Sequence, residues 1–226
     1  MKAAAAALLG SVACLGAMAA ERDFGPWETV ADGNGIKVEA RKAKATGVVE
    51  TRASVMLGCK PDELWKAITT SESYVKLMPN TKESRHIEEH PEPDGRSGFL
   101  YVYQRLDGSP SSDRDYTLEV RWSMTDTDAG HGYTRSWSVK NDKGPGPVDG
   151  VVRVAVNEGH WTLTPAANGG TSFVYEDYCE LGGSLWTRLA NGASKDSARG
   201  FVENLLAAFP AGSRDRTVGK PDNGGR

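Results

Sequence analysis

The sequence predicts an α+β fold: one curved antiparallel β-sheet, helices gathered on its concave side, and a long helix at the C-terminal end. Three observations predict it. Between residues 81 and 180, short runs alternate apolar and polar positions and are separated by Gly-, Pro- and Asp-rich turns, as strands and their connections are. Two short helical segments sit ahead of those runs, from Pro61 and from Ser71. Residues 182–209 are the one long stretch with helical periodicity, with Leu185, Leu189, Ala193, Ser197, Phe201, Leu205 and Ala208 recurring every three or four positions.

Residues 1–19 are expected to be a secretory signal peptide: Lys2 supplies the positive start, residues 3–16 are uncharged and apolar, and Ala17-Met18-Ala19 is an A-x-A cleavage site. Retention as a membrane anchor is the alternative, and lipoprotein processing at Cys14 is disfavoured by Ser11. The mature chain is therefore expected to be exported, either periplasmic or secreted. Residues 20–211 are long enough for one domain with a sizeable core. Residues 212–226 are polar and Gly-rich, a tail expected to be disordered. With 27 Lys and Arg interspersed among 30 Asp and Glu, nothing resembles a nucleic-acid-binding stripe.

Taken in order, Phe24 and Trp27 read as a short helical turn, and Asp32-Gly33-Asn34-Gly35 as a turn into a strand at 36–40. At 48–57, Val49, Thr51, Ala53, Val55 and Leu57 face one way, as on a half-buried antiparallel strand. Pro61 starts a helix with Asp62 and Glu63 in its first turn, favoured by the helix dipole, and Leu64, Trp65 and Ile68 form its buried face. A second helix spans 71–78 and stops at Pro79. Strands are expected at 83–88, 98–105, 115–123, 132–139, 151–157, 160–164 and 171–180.

The strand from Asp115 sends Tyr116, Leu118, Val120 and Trp122 to one face, while Thr117, Glu119 and Arg121 go to the other. Val152, Val154 and Val156 are expected to share the apolar wall. On the long helix, the middle of the apolar face is small (Ala190, Ala193, Ser194, Ser197, Ala198), and its ends are large. Either the sheet is bulky beneath that middle or something other than protein fills the gap. Gly192 and Gly200 each weaken the helix by about 1 kcal/mol relative to alanine. The four histidines lack metal-ligand spacing, so neither metal nor cofactor is expected. No G-x-S-x-G, P-loop or H-E-x-x-H motif is present.

Six segments, in this order, resemble START domains, the lipid-transfer branch of the helix-grip superfamily. They are WETVADGNGIKVEAR, KPDELWKAI with YVKLMPNTKESR, PSSDRDY, GHWTLTP, GGTSFVYEDY and GGSLWTRLANGASKD, and the resemblance runs from Trp27 to Phe209. The resemblance implies a sheet wrapped around the C-terminal helix and an internal tunnel for one hydrophobic, lipid-like molecule. It also implies a lid made of the 106–113 loop and the 184–209 helix. Tyr116, Leu118, Val120, Trp122, Val154, Tyr175, Ala193, Ser197, Phe201 and Leu205 would then line the tunnel, with the bulky ends of the helix, Leu185 and Leu189 and also Phe201 and Leu205, anchoring the lid. Arg114 and Asp115 would order the lid loop or touch a headgroup. The chain departs from the family in lacking a proline near Trp186 and in its serine-rich 109–112 loop. The expected protein is a monomeric, non-catalytic carrier or sensor in transient contact with membranes.

The same resemblance puts Cys59 and Cys179 at opposite ends of one strand, roughly 30 Å apart, so no disulfide is expected. On that strand Glu176 and Asp177 face opposite ways, and Glu176 is a candidate polar anchor in the tunnel. The alternative is an enzyme of the aromatase/cyclase type, marked by two or more titratable side chains converging in the cavity.

Overall fold

Period-two patterning and long-range pairing build a single sheet. The computed structural model describes residues 22–183 and 187–211. The expected signal segment at 1–19, the helix-start positions Ser184, Leu185 and Trp186, and the tail from 212 lie outside them. Among the described residues the strands are β1 (Glu28–Gly33), β2 (Ile36–Lys42), β3 (Val49–Leu57), β4 (Thr81–Pro91), β5 (Ser97–Leu106), β6 (Arg114–Thr127), β7 (Gly130–Val139), β8 (Val152–Arg153), β9 (Val156–Pro165) and β10 (Thr171–Glu180). The helices are α1 (Pro61–Thr69), α2 (Ser71–Leu77) and α3 (Thr187–Ala208). The sheet order is β1-β2-β3-β10-β9-β7-β6-β5-β4, with β8 pairing β6 off this path, and the sheet does not close.

Two stretches differ from the sequence expectation. Phe24 and Trp27 form no helical turn; Phe24 makes an isolated bridge to Ala43 and the chain runs on into β1. Their rings cover the outer face of the sheet. Trp27 is held between the guanidinium groups of Arg41 and Arg52, 4.5 and 4.3 Å from its ring centre, and Phe24 meets Tyr178 edge-on at 5.8 Å. Cation–ring contacts with the next strands stabilise extended chain here, where no helical pairing competes. The expected strand at 151–157 is also divided. Val152–Arg153 pairs in parallel with Arg114–Asp115, and β9 begins only at Val156, so the three valines do not share one strand face.

β8 covers a gap. The β6–β7 pairing starts at Leu118, leaving the first residues of β6 without β7 as a partner. Asn141 fills the next position, accepting from the Thr117 N–H at 2.9 Å and donating to the Val154 carbonyl at 2.8 Å. Thr117, expected on the polar face, is therefore fully buried.

α1 packs through Leu64 and Ile68, both fully buried, and is tied to β7 where Asp62 accepts from the Tyr133 hydroxyl at 2.6 Å and meets His131 Nδ1 at 2.9 Å. α3 lies over β2, β3 and β10. Asn191 fixes it to the start of β3, accepting from the Val49 N–H at 3.0 Å and donating to the Gly47 carbonyl at 2.9 Å. Phe201, Val202 and Leu205 carry its burial, packing with Phe173, Tyr175 and Trp161. Gly200 has a packing reason that propensity alone does not reveal: a Cβ there would lie 2.8 Å from the Pro79 ring. At Gly192 nothing lies within 4 Å.

β3 and β10 run antiparallel, Thr171 opposite Leu57 and Tyr178 opposite Glu50. Cys59, whose carbonyl accepts from Thr171 Oγ1 at 2.7 Å, thus stands at one end of β10, and Cys179 at the other.

Candidate functional site

The apolar side chains under the helices form two clusters rather than one. The first gathers Phe173, Trp161, Leu163, Phe201 and Leu205 beneath α3; the second gathers Leu100, Val102, Tyr116, Leu118, Val120, Val154 and Cys179 on β5, β6 and β10. Between them lies a cavity of about 520 Å³ that takes wall residues from both. Val102 and Gln104 of β5, Tyr116, Leu118 and Val120 of β6, and Arg135 and Trp137 of β7 form one side. Asn157, Trp161, Tyr175, Asp177 and Cys179 of β9 and β10 form the next. Ala193, Ser194 and Ser197 of α3 and Tyr74 and Met78 of the α2 segment cover it, and the 107–111 loop with Leu189 makes the rim.

Of the residues expected to line a tunnel, Tyr116, Leu118, Val120, Tyr175, Ala193 and Ser197 stand on this wall. Four stand elsewhere. Phe201 and Leu205 are fully buried in the cluster beneath α3, because the second half of the helix rests directly on the sheet. Val154 packs at 0% exposure behind the wall, and Trp122 borders a neighbouring cavity with His86, Glu89 and Arg135. The small residues of α3 divide accordingly: Ala190 and Ala198 are buried in packing, while Ala193, Ser194 and Ser197 border empty space. Leu189 is 58% exposed at the rim, so it does not clamp the helix down.

Arg114 and Asp115 order different parts of the chain. Arg114 reaches back to the Ser111 hydroxyl and the Ser112 carbonyl, and its Nε points to the Leu181 carbonyl at 3.5 Å, joining the rim loop to the end of β10. The acid that holds this loop is Asp113: Lys82 and Arg105 each donate to it at 2.8 Å, and the Lys82 bond draws its carboxyl down to about 2. Asp115 turns away to the outer side, gripped in two-pronged fashion by Arg153 at 2.8 and 2.9 Å and receiving the Tyr103 hydroxyl at 3.2 Å.

The polar anchor falls one residue from its expected place. Glu176 lies on the outer face near Arg52, 3.8 Å away, whereas Asp177 faces the cavity. Asp177 is half-buried in the cavity wall. Burial, reinforced by the charge of Glu50, pushes it up to about 7. Burial also raises Tyr116 and Tyr175 well above the usual phenol range. Trp137 stacks on Tyr175 with ring centres 5.9 Å apart and donates from Nε1 to Asn157 at 2.9 Å, lying over Gly159, where a Cβ would collide with the indole. Sequence reasoning left Arg135 out, although Tyr133-x-Arg135-x-Trp137 put it in phase with two aromatic residues of the inner face.

The raised Asp177 has a consequence for stability. The unfolded carboxyl ionises near its ordinary 3.8 while the folded one keeps its proton to about 7, so stability should fall as pH rises through that window and level off above it. Asp177→Asn should remove a decline on the order of 4 kcal/mol, read as the difference between the urea-unfolding free energies of wild type and variant from pH 4 to 8. An unchanged slope in the variant would mean that the carboxyl is ionised in the fold.

Residues 57–206 match the polyketide cyclase / dehydrase and lipid transport family. No curated protein matches the sequence. Among solved structures, the chain is similar to a STAR-related lipid transfer protein fragment from Xanthomonas axonopodis, 25% identical, with a TM-score of 0.67 over 80% of this chain and 97% of that one. Human StAR-related lipid transfer protein 5 superposes with a TM-score of 0.67 at 19% identity, over 81% of this chain and 86% of that one. Human STARD10 does so with 0.64 at 18% identity, over 80% and 72%.

Proposed function

The chain belongs to the polyketide cyclase / dehydrase and lipid transport family, and from that premise we propose that it carries or senses one hydrophobic, lipid-like molecule in the cavity beneath α3. The observation that carries this proposal is the cavity itself. Its 520 Å³ falls within the roughly 300–1,000 Å³ of small-molecule sites, and its wall is mainly apolar and aromatic with a few inward polar groups. Burying a sixteen-carbon tail at about 0.8 kcal/mol per CH₂ contributes on the order of 10 kcal/mol, so affinity needs little polar chemistry. The 25%-identical Xanthomonas structure bears the description of a lipid transfer protein, which supports the same assignment.

Exchange of the ligand would pass the rim, where the 107–111 loop and the start of α3 meet. Exposed Leu189 and Pro110 at that rim favour brief contact with a membrane surface during exchange. The leader-like residues 1–19 support action outside the cytoplasm.

One observation favours a second assignment, an enzyme acting on a polyketide-like substrate. Asp177, near 7, shares the cavity with Tyr116 and Tyr175, so titratable groups do converge there. Native mass spectrometry of protein purified from its own host, followed by organic extraction, separates the two. A co-purifying lipid at one to one supports the carrier. An empty protein that turns over an aromatic polyketide would overturn it.

A further inference from the structure

Two arginines line the cavity, and their circumstances differ. The guanidinium of Arg114 is engaged by the Ser111 hydroxyl and the Ser112 and Leu181 carbonyls. Arg135 is only 8% exposed, yet among the described residues no side-chain hydrogen bond or ion pair reaches its guanidinium. It lies over the Trp161 ring at 4.9 Å, and Tyr74 and Glu89 act on it only through space. Burial lowers it to about 10, which leaves it a cation at neutral pH. A buried cation with no bonded counter-charge is among the most costly groups a core can hold, and an apolar side chain of similar length would fill the same place more stably.

Its position adds direction. On β7 it stands opposite Trp122 of β6 and Trp161 of β9. The rim lies where Leu106 pairs with Arg114, eight residues back along β6, or roughly 25 Å at strand rise. Arg135 is thus at the inner end of the cavity, where it also borders the second cavity. The carboxyls on the main wall do not neutralise it: Asp107 sits at the rim bonded to Ser109 and Lys82, and Asp177 holds its proton below about 7.

We infer that the ligand is an anionic amphiphile, with a carboxylate or phosphate-monoester head that enters first and pairs with Arg135 while its apolar body lies along β6 beneath α3. The flat guanidinium fork matches either anion in two-pronged fashion. The inference rests on the cavity being a ligand site. It further disfavours neutral, sterol-like molecules as preferred cargo, since they would leave the cation without a bonded counter-charge.

The test titrates tryptophan fluorescence at pH 7 with hexadecanoate, hexadecyl phosphate, methyl hexadecanoate and hexadecan-1-ol. The wild-type protein should bind at least one of the two anions about 10- to 100-fold more tightly than the ester and the alcohol, the range of a hydrogen bond to a charged group. Arg135→Met should keep ester binding and lose the preference, and Arg135→Lys should retain part of it. The wild-type comparison stands whether or not the variants fold. Equal affinity for acid, ester and alcohol would overturn the inference and leave the hydrophobic site standing, as would a preference that survives intact in Arg135→Met. If none of the four binds, both the inference and the proposed function fall.

Discussion

Leucine at position 197 should close the cavity to its ligand while leaving the fold at least as stable. Ser197 sits on the flank of α3 that borders empty space, and its hydroxyl makes a weak bond to Met78 Sδ at 3.8 Å. Leucine is the better helix former, and its extra carbons would enter the void rather than a neighbour. Displacing three methylenes' worth of ligand loses about 2.4 kcal/mol, close to fiftyfold in affinity, before any steric exclusion. Hexadecanoate titration and urea unfolding on the same preparation measure both quantities. Ala198→Leu is the contrast. That side chain is 1% exposed beneath the helix, and overfilling it should cost about 1–3 kcal/mol. Stability lost at 197 with binding unchanged would make α3 a core element and nothing more.

Arg153→Ala should be among the most destabilising single changes in the chain, at about 3–5 kcal/mol by urea unfolding. Its partner Asp115 is completely buried, and the guanidinium supplies both strong bonds to that carboxylate, leaving only the longer Tyr103 contact when removed. Arg153 also holds the Pro145 and Gly146 carbonyls at 3.0 and 2.9 Å, so the connection covering the outer face of β6 would loosen with it. Asp115→Asn combined with Arg153→Met should recover much of the loss, since neither leaves a buried charge alone. A cost below about 1 kcal/mol for Arg153→Ala would put the pair with ordinary surface ion pairs.

What the sequence reveals and what it conceals follow from range. Alternation is local, so the faces of β3 and β6 were legible, and Pro61 with two acidic neighbours marked the start of α1, whereas on β10 the polar anchor was placed at Glu176, one residue from Asp177, which faces the cavity. The same alternation held Arg135 and Asp177 in phase with inner aromatics, but a charged residue in an apolar face reads as solvent-facing until both sides of the sheet are known to be covered. Helical periodicity gives the face of α3 and not its placement along the sheet. That is why Phe201 and Leu205, expected against a ligand, stand in solid packing, and why Leu189, expected as an anchor, stands at the rim. The division of residues 151–157 was hidden for a related reason: β8 exists because β6 lacks β7 at its start, a fact of tertiary pairing.

The junction of β3 with β10 also dictates an order of events. Thr171 bonds to Cys59 across 112 positions of sequence, and this pairing is the link between the three N-terminal strands and the rest of the sheet. Closing so long a loop carries an entropic cost before any contact offsets it, which slows folding. A nascent chain emerging from the N-terminus can form the β1–β3 meander and the β4–β7 ladder separately, but neither half joins the other until β10 is made. α3 follows it, so the helical half of the cavity's cover is the last part of the domain to be made.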